Sequence, residues 1–166
     1  METDRSTAVH EAGHAVIARV LGLPCGKVTI IGDDERELGH AIVADPIRSW
    51  ERGDGPRRPL IEKSCIALYS GAQAAHIILG DKDQDDELDC YKATSLLKLV
   101  GVRHARFVGD DTWERFEQRL RQRARALVVR HRSKILRVAD ALITRRTLTG
   151  EEVNALIEGW ELPPAA

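Results

Sequence analysis

The chain has 166 residues, of which 43% are hydrophobic and 31% are charged, and its formal net charge is −1. This length and composition indicate one globular domain with a core of its own. The balanced charge and the 4% of aromatic residues argue against a nucleic-acid-binding protein, and no apolar run reaches the ~20 residues of a membrane helix.

The first predicted elements are a helix and two short strands. The helix runs from about Ser6 or Thr7 to Leu21, and Gly22 and Pro24 end it. Two β-branched runs follow at Lys27–Ile31 and Leu38–Val43. They predict a small antiparallel pair.

The rest of the chain is predicted to be helical after one loop. The segment Asp45–Pro59 is rich in proline, glycine and charge, so we expect a mobile loop there. The spacing of apolar residues predicts helices at Leu60–Leu79, at Asp86–Leu99 and from about residue 113 to Thr144. Thr149 to Glu152 is a capping box for a last helix through Ile157, before a short tail at 160–166. The predicted fold class is mainly α, with the small antiparallel sheet near the N-terminus, in a single domain over 1–166.

Two compositional features bear on compartment and partners. The three cysteines form no Cys-x-x-Cys pair, which suits free thiols in a reducing cytoplasm. The long helix is rich in arginine, and its apolar stripe favours a solvated arginine face over a nucleic-acid site. Its arginines are Arg115, Arg119, Arg121, Arg123, Arg125, Arg130, Arg132 and Arg137.

The first helix carries the motif His10-Glu11-Ala12-Gly13-His14. Helix positions four apart share one face, so His10 and His14 can bind a single zinc ion. Glu11 can then lie beside the attacking water as general base. Because a glycine inside a helix costs about 1 kcal/mol relative to alanine, we expect another element to pack closely against Gly13.

A zinc hydrolase needs a third protein ligand. A metzincin is excluded, since Val20 stands where its third histidine belongs and the only methionine is Met1. Glu62 on the next predicted helix is one candidate. The acidic stretch from Asp81 to Asp89 is the better source, although for any single one of its carboxylates a helix cap or a surface acid is the favoured interpretation.

The segment Thr7 to Ala15 resembles the opening of the FtsH-type peptidase domain, the proteolytic part of the membrane-anchored AAA+ zinc proteases. The similarity continues through the two strands and through Gly71–Gly80, which resembles a family helix that begins glycine-arginine-alanine-alanine-glutamate. It continues in Asp89-Cys90-Tyr91-Lys92-Ala93-Thr94 and in Ala141–Val153. The resemblance implies a helical metallopeptidase domain in which Asp89 is the third zinc ligand.

The chain also departs from the family. Ala72 and Ala75 replace the usual arginine and glutamate, which puts full activity in doubt more than metal binding. No Gly-x-x-x-x-Gly-Lys-Ser/Thr motif occurs, so we expect a stand-alone peptidase domain without the ATPase module or the membrane anchor.

These features together predict a cytoplasmic zinc metalloendopeptidase that hydrolyses unfolded proteins or peptides. His10, His14 and Asp89 would bind zinc, and Glu11 would act as general base. The edge of the second strand, at Leu38, Gly39, His40 and Ala41, would bind extended substrate; a surface role for His40 is favoured over an oxyanion contact. Expected partners are the substrate and, as open alternatives, an AAA+ ATPase in trans or further copies of the chain, with no nucleic acid and no membrane. The alternative function is a non-catalytic or partner-dependent zinc-binding module that associates with an AAA+ protease or another protein.

Overall fold

The computed structural model describes residues 2–32, 40–43, 58–80, 87–103 and 113–163. Within these residues the chain is mainly helical with one small sheet, so the predicted fold class is confirmed. The elements in chain order are α1 (Glu2–Val20), β1 (Cys25–Thr29), β2 (His40–Val43), α2 (Arg58–Leu79), α3 (Glu87–Arg103), α4 (Trp113–Arg130), α5 (Arg132–Arg145), β3 (Thr147–Leu148) and α6 (Gly150–Glu158).

Helix α1 lies at the centre of the fold and packs against α2 on one side and α5 on another. It begins at Glu2, four or five residues before the predicted start, and ends at Val20, one residue before the predicted end at Leu21. Every residue from Thr7 to Ala18 is buried, and most of these side chains are small and apolar. A helix that is apolar all round is covered on all sides, which is what allows α1 to carry a buried site.

Within the described residues, the sheet has three strands in the order β2-β1-β3. The predicted antiparallel pairing of β1 with β2 is confirmed, with Val28 opposite Ala41 and Thr29 opposite His40. Strand β1 begins and ends two residues earlier than predicted. Strand β3 was not predicted from the sequence, and its Leu148 pairs with Val28 on the other edge of β1. A two-residue strand is too short to produce an alternating pattern.

Helices α2 and α3 carry the remaining parts of the site. Helix α2 begins at Arg58, because Pro59 is tolerated in a first helical turn, and ends at Leu79 as predicted. The last two residues of the predicted loop are therefore helical, and residues 45–57 lie outside the described part of the chain. Helix α3 begins one residue later than predicted and continues past Gly101 to Arg103.

The single long helix predicted up to Thr144 is wrong, because the structure divides it at His131 into α4 and α5. The two halves have different packing partners: α4 lies against α2, whereas α5 lies against α1. The His131 carbonyl accepts hydrogen bonds from the backbone N–H groups of Lys134 and Ile135, so the second helix starts at the break. A turn at this point lets the apolar faces of both α4 and α5 pack against the core.

The predicted capping box of the last helix is confirmed. The Thr149 hydroxyl accepts from the Glu152 backbone N–H, and the Glu152 carboxylate accepts from the Thr149 N–H at 2.8 Å. Among the described residues, none of the helices combines the length and apolar character that a membrane span requires.

Candidate metal centre

His10 and His14 lie one turn apart on the buried face of α1, as their spacing predicts. Their Nε2 atoms are 2.9 Å apart, and the two rings meet edge to face with centroids 4.6 Å apart. Both side chains are more than nine-tenths buried. The two ring nitrogens therefore face one small volume inside the protein.

Asp89 reaches the same volume from the first turn of α3. Its Oδ2 atom lies 3.1 Å from Nε2 of His10 and 2.9 Å from Nε2 of His14. A carboxylate in a first helical turn also interacts favourably with the positive end of the helix dipole. The structure thus brings together three residues that are up to 79 positions apart in the chain.

The orientation of His14 is set by a backbone carbonyl of α2. Its Nδ1 atom lies 2.9 Å from the Ala67 oxygen, and since a carbonyl can only accept, this nitrogen carries the proton. In the neutral form of His14, the Nε2 atom then presents its lone pair to the cluster. Histidines that bind metals are commonly held in this way by a carbonyl or carboxylate on the other ring nitrogen.

The charges of the cluster stabilise one another in the absence of a metal. Burial lowers the pKa of His14, but the neighbouring Asp89 carboxylate outweighs this and raises it to about 9, with a further contribution from Glu11. Burial likewise raises the pKa of Asp89, but the two histidines outweigh it and hold that pKa well below its usual range. A divalent cation at this position would replace the protons.

The three side chains fit a zinc ion. Two imidazole nitrogens and one carboxylate oxygen are a donor set that zinc prefers, and the three ligand atoms lie within 4.8 Å of one another. Ligands at bonds of ~2.0–2.1 Å around a tetrahedral ion are roughly 3.3 Å apart. The separations of 2.9–3.1 Å are close to that value.

Two glycines bring α1 and α2 close together at the cluster. A Cβ atom on Gly13 would lie 2.7 Å from both the Ala74 Cβ and the Ser70 carbonyl oxygen, so the expected close packing at this glycine is confirmed. A Cβ on Gly71 would lie 2.6 Å from Nε2 of His10 and closer still to the ring of His14. Any side chain at position 71 would therefore collide with both imidazoles.

The other predicted residues lie in different settings. Glu11 is buried on α1 next to the first histidine. Glu62 accepts a 2.8 Å hydrogen bond from Arg58 on the outer part of α2 and is not in the cluster. Ala75 is fully buried, and Ala72 is half-buried. His40 and Ala41 lie in β2, whereas Leu38, Gly39 and the acidic residues 81–86 lie outside the described residues.

Three residues at or around the site were not predicted from the sequence. The Ala67 carbonyl carries no side-chain signal and could not have been found. Gly71 could have been, because it stands inside a predicted helix, the same signal that singled out Gly13. Arg121 was assigned to a solvated face, but its guanidinium is half-buried and lies over Tyr69, 4.2 Å from the ring centroid.

Comparison with known proteins finds similarity to FtsH proteins. No family model matches the chain. The ATP-dependent zinc metalloprotease FtsH of Thermus thermophilus is 30% identical over 191 aligned positions, covering 95% of this chain and 30% of the relative. FtsH 1 of Symbiobacterium thermophilum is 31% identical, covering 91% of this chain and 28% of the relative. FtsH 4 of Sorangium cellulosum is 28% identical over 98% of this chain and 30% of its own length.

The predicted resemblance to the FtsH-type zinc metallopeptidases is thereby confirmed over nearly the whole chain. The chain spans about 30% of the length of these relatives.

Proposed function

We propose that this chain is a zinc-dependent endopeptidase. The observation that carries the proposal is the convergence of His10, His14 and Asp89 in one buried volume, with Glu11 on the same helix as the two histidines. The similarity to proteins named as zinc metalloproteases supports the same chemistry.

In this proposal two imidazoles and one carboxylate hold the metal. His14 offers Nε2 because its Nδ1–H is donated to Ala67, and Asp89 supplies the anionic ligand. Three protein ligands leave a coordination position open, as catalytic zinc sites do. Zinc bound there would supply Lewis acidity, which activates water and polarises the peptide carbonyl.

Glu11 is the proposed general base. It follows His10 directly on α1, and its carboxylate is close enough to contribute to the raised pKa of His14. A carboxylate next to a metal centre can accept the proton of the attacking water and deliver it to the leaving amine. Its burial excludes bulk water from this proton transfer.

Substrate binding is proposed along β2. Among the strands that the structure describes, β2 lies at one edge of the order β2-β1-β3. An extended polypeptide could add to that edge through main-chain hydrogen bonds, which suits unfolded substrates of varied sequence. Leu38, Gly39, His40 and Ala41 remain the proposed contact residues.

The test compares the zinc-loaded chain with Glu11→Gln on an unfolded protein, without ATP. We expect cleavage by the parent and a loss of 100-fold or more in the variant, with equal zinc content, because a general base contributes roughly 10²–10⁴ in rate. An equally active Glu11→Gln variant would contradict the assigned base.

A different result would favour the second candidate function. If zinc is bound and neither protein cleaves, the chain is a zinc-binding module that needs or serves a partner. The observation that favours this candidate is the pair of alanines at positions 72 and 75, which leave α2 without the family's arginine and glutamate.

A further inference from the structure

Arg121 of α4 contacts both helices that complete the metal cluster. Its Nη2 donates to the Sγ atom of Cys90 on α3 at 3.3 Å. Its Nε and Nη2 lie 3.0 and 2.9 Å from the same Glu117 oxygen. The plane of the guanidinium lies over the ring of Tyr69 on α2, with Cζ 4.2 Å from the centroid.

These contacts involve the two helical turns that position the metal cluster, one on α3 and one on α2. Cys90 directly follows Asp89, whose carboxylate faces the histidines. Tyr69 is two residues after Ala67, which orients His14, and the Tyr69 hydroxyl donates to Glu117 at 3.3 Å. One half-buried side chain therefore links the α2 turn behind His14 to the α3 turn that bears Asp89.

The chemistry of arginine suits this role. A guanidinium is planar and rigid and donates in several fixed directions at once, whereas a lysine ammonium is a flexible point charge. Distances between a metal and its ligands must lie within about 0.2 Å of their preferred values. A fixed link between the helices that carry the ligands therefore affects the affinity for the metal.

We propose that Arg121 is a positioning residue of the metal centre, which acts through Cys90 to hold the first turn of α3 where Asp89 meets His10 and His14. The inference rests on the proposed zinc site. Arg121 does not itself touch the metal, and its effect is on the geometry of Asp89.

The experiment measures zinc affinity by competition with a chromophoric chelator and records the visible spectrum of the cobalt-loaded protein. Arg121→Met removes the guanidinium and keeps an unbranched side chain, Arg121→Lys keeps the charge, and Arg123→Met is the control on an exposed position of the same helix. We expect roughly tenfold weaker zinc binding and an altered cobalt spectrum for Arg121→Met, since indirect supports of metal ligands are worth about 10–100-fold. Arg121→Lys should recover only part of the loss, and Arg123→Met should match the parent.

A double-mutant cycle with Cys90→Ala tests whether Arg121 acts on Asp89 through its contact with Cys90. Because the Arg121 contact acts through Cys90, Cys90→Ala alone should weaken zinc binding severalfold, and Arg121→Met should then cost less in that background.

The outcomes separate positioning from plain stability. If Arg121→Met lowers the unfolding temperature of the metal-free chain but leaves zinc affinity and the cobalt spectrum unchanged, the proposal is overturned. If Arg121→Met does not fold, parent-like zinc affinity in Cys90→Ala overturns it. A parent chain that binds no zinc overturns the proposed function together with this inference.

Discussion

Replacing Gly71 by alanine tests whether the space between the two imidazoles is the metal position. The added Cβ would lie 2.6 Å from Nε2 of His10 and closer to the ring of His14. Neither ring can move freely, since both are buried and His14 is also bonded to the Ala67 carbonyl. The substitution therefore acts on the site with a single methyl group.

The size of the effect follows from that distance. Ordinary contact begins near 3.4 Å, so the ring of His10 has to shift by about 0.8 Å, well beyond the ~0.2 Å tolerance of a metal ligand. We expect zinc binding to weaken by roughly 100-fold or more, about 3 kcal/mol. The free energy of unfolding of the metal-free chain should change less. Overpacking costs about 1–3 kcal/mol, and the higher helix propensity of alanine offsets about 1 kcal/mol of that cost.

Zinc competition with a chelator measures the affinity, and thermal unfolding in excess chelator measures the fold. Ser70→Ala is the matched control, since Ser70 is the preceding buried residue and its hydroxyl donates to the Ile66 carbonyl rather than to the site. Parent-like zinc affinity in Gly71→Ala would refute the assignment of the metal to this volume.

Three further results are expected. Asp89→Ala should weaken zinc binding by more than 100-fold while Glu62→Ala leaves it unchanged, and the reverse order would reassign the third ligand. In excess chelator, the free energy of unfolding should fall by up to about 3 kcal/mol as pH rises from 6.5 through 9. The reason is that His14, whose pKa is raised in the folded state, stabilises the fold only while it is protonated. Denaturant titrations that show constant stability across this range would contradict the charged cluster. Thr149→Ala should cost about 1 kcal/mol by loss of the capping box, with zinc affinity unchanged, as read by unfolding and chelator competition.

The local features of this protein were predictable from the sequence. The spacing of His10 and His14 on an apolar helix places both rings on one face, and neighbouring residues alone decide that geometry. The capping box at Thr149 and the pairing of β1 with β2 depend on equally short segments. The general base assigned to Glu11 also comes from the motif and stays a prediction.

Other features depended on contacts between distant segments. Nothing in residues 113–144 marks His131 as a break, because it arises from the different packing partners of α4 and α5. Strand β3 exists only because Leu148 meets Val28, 120 positions earlier in the chain.

The metal centre shows the same division. The sequence alone determined two histidines on one helix face and a set of acidic candidates. The family resemblance pointed to Asp89 among them, and the tertiary structure places this carboxylate against both histidines. Only the tertiary structure shows that the Ala67 carbonyl orients His14 and that a side chain at position 71 would collide with both rings. The physical reason is that helical periodicity depends only on neighbouring residues and fixes positions within one element. Distances of about 3 Å between elements depend instead on how whole helices pack.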